Sequence, residues 1–91
     1  MTSEDESSIT GTIRQVVDEH GHLSVPMAEV TDNDDLYEAG MTSHASVSVL
    51  FALEEAFDVE FLEEMLRKST FESISAIEAA LDILLEDKKV S

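Results

Sequence analysis

The sequence predicts an all-α fold: a small four-helix bundle with a long loop between its first and second helices. Three observations carry this. Apolar residues recur at helical spacing in separate segments, alternation of the strand kind is weak, and periodicity lapses between Gly21 and Met41. The first helix spans Glu4 to His20, where Ile9, Ile13, Val16 and Val17 fall at i, i+4, i+7 and i+8. Ser3 and Glu6 have capping-box spacing, and Gly21 is placed to end the helix. Gly11 weakens its interior by about 1 kcal/mol relative to alanine.

From Gly21 to Met41, Pro26, Gly40 and the cluster Thr31-Asp32-Asn33-Asp34-Asp35 mark a loop. Its length, roughly twenty residues, is of the kind usually found in functional loops. Leu23, Val25, Met27, Val30, Leu36 and Tyr37 are its apolar anchors, so it should pack over the helices. The second helix starts at Thr42 or Ser43 and runs to about Phe57, with Val47, Leu50 and Phe57 on one side and Phe51 and Leu53 flanking. A short third helix is expected over Leu62 to Lys68. The fourth follows Thr70 as N-cap and continues to about Asp87, its stripe formed by Phe71, Ile74, Ile77, Leu81 and either Ile83 or Leu84. Lys88 and Lys89 stand where they complement the negative end of that helix dipole.

Ninety-one residues make one domain, 1–91, whose first five or so residues read as disordered. With 43% apolar residues the chain should fold, and without cysteine it has no disulfide framework and no thiol of its own. No apolar run approaches the roughly 20 residues of a membrane span. The acidic start is the opposite of a secretory signal, which points to a soluble, cytoplasmic protein. Twenty-one acidic and five basic residues give a formal charge of −16, and no Lys or Arg occurs between Gln15 and Leu66. Such a field repels phosphate backbones and anionic lipid, arguing against nucleic-acid and membrane binding, and it steers basic partner surfaces.

The informative segment runs from Asp34 to Val47: an acidic loop, a glycine permitting a tight turn, then a serine opening an amphipathic helix. A helix N-terminus presents unpaired N–H groups and partial positive charge, so a phosphate attached there is well placed. Taken singly, Thr42 or Ser43 fits an ordinary N-cap equally well.

The run Asp35-Leu36-Tyr37-Glu38-Ala39-Gly40-Met41-Thr42-Ser43 resembles the phosphopantetheine attachment site of acyl carrier proteins. That family shows an acidic-Leu-(Phe/Tyr)-x-x-Gly-(Leu/Met/Ile)-x-Ser pattern where its second helix begins. Leu53 to Phe61 resembles the end of the family's second helix, and Ser69-Thr70-Phe71-Glu72-Ser73-Ile74 the start of its fourth. The resemblance covers nearly the whole chain beyond the acidic start. It implies that a phosphopantetheinyl transferase, using coenzyme A and Mg²⁺, attaches 4′-phosphopantetheine to Ser43. The arm's thiol then carries an acyl or aminoacyl group as a thioester, and the protein itself catalyses nothing. It further implies a monomer whose partner enzymes, an acyl or aminoacyl ligase or transferase among them, dock through basic patches. The contacts so placed are Met41, Thr42, His44 and Val47, with the acids Glu38, Glu54, Glu55, Asp58, Glu60, Glu63 and Glu64. A solvated helix face also accounts for any one of these acids.

Two departures bear on the cargo. Fatty-acid carriers commonly read Asp-Ser-Leu around the modified serine, where this chain has Thr42-Ser43-His44, and Ser48 stands where they often have glutamate. Carriers of non-ribosomal peptide synthesis commonly read Gly-Gly-x-Ser-(Leu/Ile), against Gly40-Met41-Thr42-Ser43-His44 here. The combination resembles specialised stand-alone carriers, including those loaded with an amino acid by synthetase-like ligases. The alternatives are a specialised acyl carrier for lipid or polyketide synthesis, and an acidic helical interaction module that is never modified. An EF-hand is excluded, because Leu36, Tyr37 and Ser43 occupy positions that need a ligand, a glycine and a glutamate. His20, His22 and His44 read as surface residues rather than metal ligands, and no spacing supports a Ser-His-acid triad.

Overall fold

A computed structural model describes the backbone of residues 3–90 and the side chains of residues 9–86. Three α-helices form the frame: α1 (Ser3–His20), α2 (Ser43–Phe57) and α3 (Ile74–Val90). The class is all-α as expected, and no strand occurs among the described residues. The helix α1 begins at Ser3, within the stretch read as irregular. The capping-box side chains Ser3 and Glu6, and Lys88 and Lys89, lie outside the described side chains. α1 packs against both α2 and α3. The core joins Ile13 and Val17 of α1 to Val49 and Leu53 of α2 and to Ile74, Ile77 and Leu81 of α3, all without exposure.

The expected four-helix count needs correction. Leu62 to Lys68 forms no α-helix; the chain makes two 3₁₀ turns instead, Glu63–Met65 and Lys68–Phe71, separated by an extended Arg67 at φ −136°, ψ 160°. Seven residues are too few to repay helix nucleation unless a buried face helps. Leu62 and Leu66, the i and i+4 pair that would make that face, are both exposed. The segment is held by its ends: Phe61 and Phe71 meet at 5.5 Å between ring centroids, tilted by 45°.

The last helix starts later than Thr70. Ser73 serves as its cap, its hydroxyl accepting from the Ala76 N–H at 3.0 Å, while Thr70 belongs to the preceding turn. Of the two candidates for the end of its stripe, Leu84 is buried and Ile83 is 58% exposed.

On α2 the buried face is Ala45, Val49 and Leu53, a clean i, i+4, i+8 row. The expected stripe is therefore rotated: Val47 is 46% exposed and Phe51 62%. This helix is apolar around most of its circumference, so periodicity alone does not select a face. Packing against α1 selects it, with the small Ala45 at its first turn.

The long loop packs over the helices as expected, through buried Val30 and Leu36 and partly buried Leu23, Met27 and Tyr37; Val25 is exposed instead. Gly21 follows α1 and donates to the Val17 carbonyl at 2.7 Å, although the left-handed residue there is His22. After Pro26 comes a 3₁₀ turn, Met27–Glu29. Arg14 of α1 donates to Asp32 Oδ1 at 2.8 Å and to the carbonyls of Met27 and Val30. The loop's other side meets α3 and the residues just before it: the Leu36 N–H donates to the Glu72 carbonyl at 2.7 Å, and the Ser75 N–H to that of Asp32 at 2.9 Å. Asp34 closes its own turn, its carboxylate accepting from the Thr31 N–H at 2.9 Å. That backbone bond first, then the Thr31 side chain, hold the Asp34 carboxyl below the ordinary aspartate value, against a small opposing desolvation.

Leu53→Ala should destabilise the fold by about 2–5 kcal/mol, while Phe51→Ala stays within about 0.5 kcal/mol, both read from urea denaturation. For Asp34 the folded-state pKa is depressed, so its stabilisation is complete above the unfolded value near pH 4 and lost as pH falls through the folded value. The stability gap between wild type and Asp34→Ala should therefore be constant at neutral pH and close on acidification below about pH 4.

Candidate functional site at the start of helix α2

The segment before α2 is built to deliver its first residue. Asp35 Oδ1 accepts from the N–H groups of Tyr37 and Glu38 at 2.9 and 3.3 Å, folding the chain into an Asx-type turn. Leu36 fills the core, and its carbonyl accepts from the Met41 N–H at 3.0 Å. Gly40 has φ +122°, and a Cβ there would collide with the Ser24 hydroxyl and lie 2.6 Å from the Ser24 nitrogen. Ser24 comes that close because its N–H and hydroxyl both donate to the Ala39 carbonyl, at 2.8 and 3.0 Å. Met41 is buried, at 2% exposure.

Thr42 and Ser43 divide the remaining roles. Thr42 is the N-cap: extended at φ −84°, ψ 166°, it accepts from the Ala45 N–H on Oγ1 at 3.0 Å and from the Ser46 N–H on its carbonyl at 2.9 Å. Ser43 is the first residue of the helix, exposed, and its hydroxyl makes no hydrogen bond to any described residue. The Ser43 carbonyl accepts from the Ser46 hydroxyl at 2.7 Å. The N–H groups of Ser43 and His44 belong to the first turn, which has no carbonyls of its own to receive them.

Beside Ser43 opens a shallow cleft of about 210 Å³ between α2 and the 3₁₀ segment. Val47, Leu50 and Phe71 give it an apolar floor, and Arg67 and Lys68 stand at its side. Lys68 Nζ lies 4.8 Å from the centroid of the Tyr37 ring, which also lines the cleft.

The residues expected to meet partners distribute unevenly. Thr42, His44 and Val47 are exposed around Ser43, whereas Met41 is in the core and presents nothing to a partner. Glu38 is exposed on the preceding loop. Glu54 is committed within the fold, its carboxylate accepting from the Phe61 N–H at 2.9 Å. Glu55, Asp58, Glu60, Glu63 and Glu64 are exposed beyond the far end of α2 or on its last turn. Glu55 stands twelve residues along the helix from Ser43, roughly 18 Å away. Arg67 and Lys68, which the sequence does not single out, line the cleft with Ser43. The only sequence signal for them is that they end the long stretch without a cation. Among the described residues, no group of three or more His, Cys, Asp or Glu is placed to hold a metal ion. Among the described residues, no helix is long and apolar enough to cross a membrane.

Residues 21–83 match the family described as phosphopantetheine attachment site. An aminoacyl carrier protein of Agrobacterium fabrum (strain C58 / ATCC 33970) is 39% identical over 83 residues, covering 91% of this chain and all of that protein. The fold is similar to the carrier protein of Agrobacterium tumefaciens as seen in a crystal structure with an engineered glycine:[carrier protein] ligase of Bradyrhizobium japonicum and ATP. There the TM-score is 0.81 at 39% identity, over 84% of this chain and 99% of the other. A solution structure from Agrobacterium tumefaciens matches with a TM-score of 0.71 at 39% identity, covering 90% and 99%. The chain belongs to the phosphopantetheine-binding carrier family, whose cofactor is 4′-phosphopantetheine.

The residues present fit that cofactor: a free serine hydroxyl sits at the N-terminus of a fifteen-residue helix, beside an open cleft with cations at its edge. When bound, the arm supplies the thiol that the chain lacks.

Because Thr42 alone carries the cap, Thr42→Ala should cost about 1 kcal/mol of stability, while Ser43→Ala changes it by less than about 0.5 kcal/mol, in paired denaturant titrations.

Proposed function

We propose that this protein is a stand-alone aminoacyl carrier, holding its cargo as a thioester on 4′-phosphopantetheine attached to Ser43. The observation that carries the reading is the Ser43 hydroxyl, exposed and unbonded at the start of α2 while Thr42 performs the capping. In the modification, Ser43 Oγ forms the bond to phosphorus as the bond from that phosphorus to the 3′,5′-ADP portion of coenzyme A breaks. The serine proton passes to a base of the phosphopantetheinyl transferase. The N–H groups of Ser43 and His44 and the helix dipole favour the phosphate on that oxygen.

Amino-acid cargo is supported by the similarity to an aminoacyl carrier protein and to carriers seen bound to a glycine:[carrier protein] ligase. The partner that loads the arm is then a synthetase-like ligase with a basic docking surface. The exposed acids Glu38, Glu55, Asp58, Glu60, Glu63 and Glu64 steer its approach. Glu54 acts by shaping the end of α2. The protein works as a cytoplasmic monomer that presents cargo to successive enzymes.

The test is intact-mass spectrometry after incubation with coenzyme A, Mg²⁺ and a promiscuous phosphopantetheinyl transferase. Wild type should gain one phosphopantetheine and Ser43→Ala none; an equal gain in Ser43→Ala would refute attachment at this residue. The modified protein, given ATP, glycine and a glycine:[carrier protein] ligase, should then gain one glycyl group, released by hydroxylamine. Thioesters formed only with fatty acyl groups in a lysate of the source organism would overturn the amino-acid cargo.

A further inference from the structure

The two cations beside Ser43 are anomalous in this chain. The sequence holds twenty-one acidic residues and five basic ones, and from Gln15 to Leu66 there is no Lys or Arg. Cations so outnumbered ordinarily find a carboxylate. Among the described residues, Arg14 pairs with Asp32 and His20 lies by Glu19, but neither Arg67 nor Lys68 has a carboxylate within ion-pair distance. Both are exposed, and both line the cleft that begins at Ser43. Lys68 is positioned there by Tyr37, whose ring it caps at 4.8 Å and whose backbone belongs to the turn that delivers Ser43.

Accepting Ser43 as the attachment residue, we propose that Arg67 and Lys68 form a clasp for the phosphodiester of the arm, fixing its root in the cleft. A phosphodiester carries one negative charge at any working pH, and the rest of this surface repels it. A guanidinium offers a planar fork suited to phosphate oxygens, and an ammonium adds a second charge-assisted bond. The first-turn N–H groups of α2 approach the same phosphate from the serine side. Val47, Leu50 and Phe71, the apolar floor, receive the dimethyl-substituted carbon that follows the phosphate in pantetheine. At about 210 Å³ and open to solvent, the cleft takes the root of the arm.

The experiment compares apo and holo forms of wild type, Arg67→Gln/Lys68→Gln and the charge-preserving Arg67→Lys/Lys68→Arg, each holo form verified by intact mass. Two signals are read at low and high salt: the gain in melting temperature from apo to holo, and the ³¹P chemical shift of the phosphodiester. Subtracting each variant's own apo form removes any effect of the substitutions on folding. Wild type should gain about 2–4 °C more than the glutamine variant at low salt. Its ³¹P signal should move toward that of the glutamine variant as salt rises, while the charge-preserving variant follows wild type. Equal gains and equal ³¹P shifts in wild type and the glutamine variant, both fully modified, would overturn the clasp and leave the attachment at Ser43 standing. Failure of wild type to be modified at all would remove the attachment and the clasp with it.

Discussion

The guanidinium of Arg14 is the hinge on which the rest of the molecule is hung. From the middle of α1 it donates to the Asp32 carboxylate and to the carbonyls of Met27 and Val30, three acceptors in a loop with only one turn of 3₁₀ helix. A loop of that length carries backbone groups that no ladder satisfies, and each must find a partner if it is to lie over a core. The charge pair itself is half-solvated, with 27% and 49% of the two side chains exposed, and contributes little as a Coulomb attraction. What matters is that one rigid fork fixes the loop's direction at several points, something a lysine could not do.

Asp32 then transmits that placement across the bundle. Its carbonyl accepts from Ser75 at the start of α3, next to the Asn33 amide oxygen accepting from the Ser75 hydroxyl at 2.9 Å. Four residues on, Leu36 is buried and bonded to Glu72, and its carbonyl holds Met41. The site serine is therefore tied to α1 and α3 before α2 begins. The loop is long because it must span both helices and still arrive at a defined angle, and its apolar residues are spaced where those arrivals occur.

How much of this could be read from the residues depends on whether the cause was local. The start of α2, the turn through Asp35 and the need for Gly40 follow from capping and turn chemistry, and each stands where the sequence places it. The face of α2 was not legible, because Val47, Leu50 and Phe51 are as apolar as Val49 and Leu53, and only α1 decides which are covered. The expected third helix failed for a related reason: Leu62 and Leu66 have helical spacing, but both stay about half exposed and give no buried face. The role of Glu54 was also hidden, since its bond to Phe61 depends on the reversal at Asp58, a left-handed residue at φ 54°. Arg67 and Lys68 looked like any surface pair until the fold set them beside Ser43.

Under the proposed attachment at Ser43, the division between Thr42 and Ser43 gives each hydroxyl at this corner its own task. A serine acting as N-cap commits its oxygen to an N–H of the first turn, and modification of that oxygen would remove the cap just as the helix acquired its load. By giving the cap to Thr42, the chain leaves the Ser43 oxygen free without weakening the helix that positions it. The first-turn N–H groups that the cap does not use are helix-end donors of the kind that favour a phosphate nearby. One helix end thus has two hydroxyls on adjacent residues: the Thr42 oxygen satisfies the fold, and the proposed attachment uses the next.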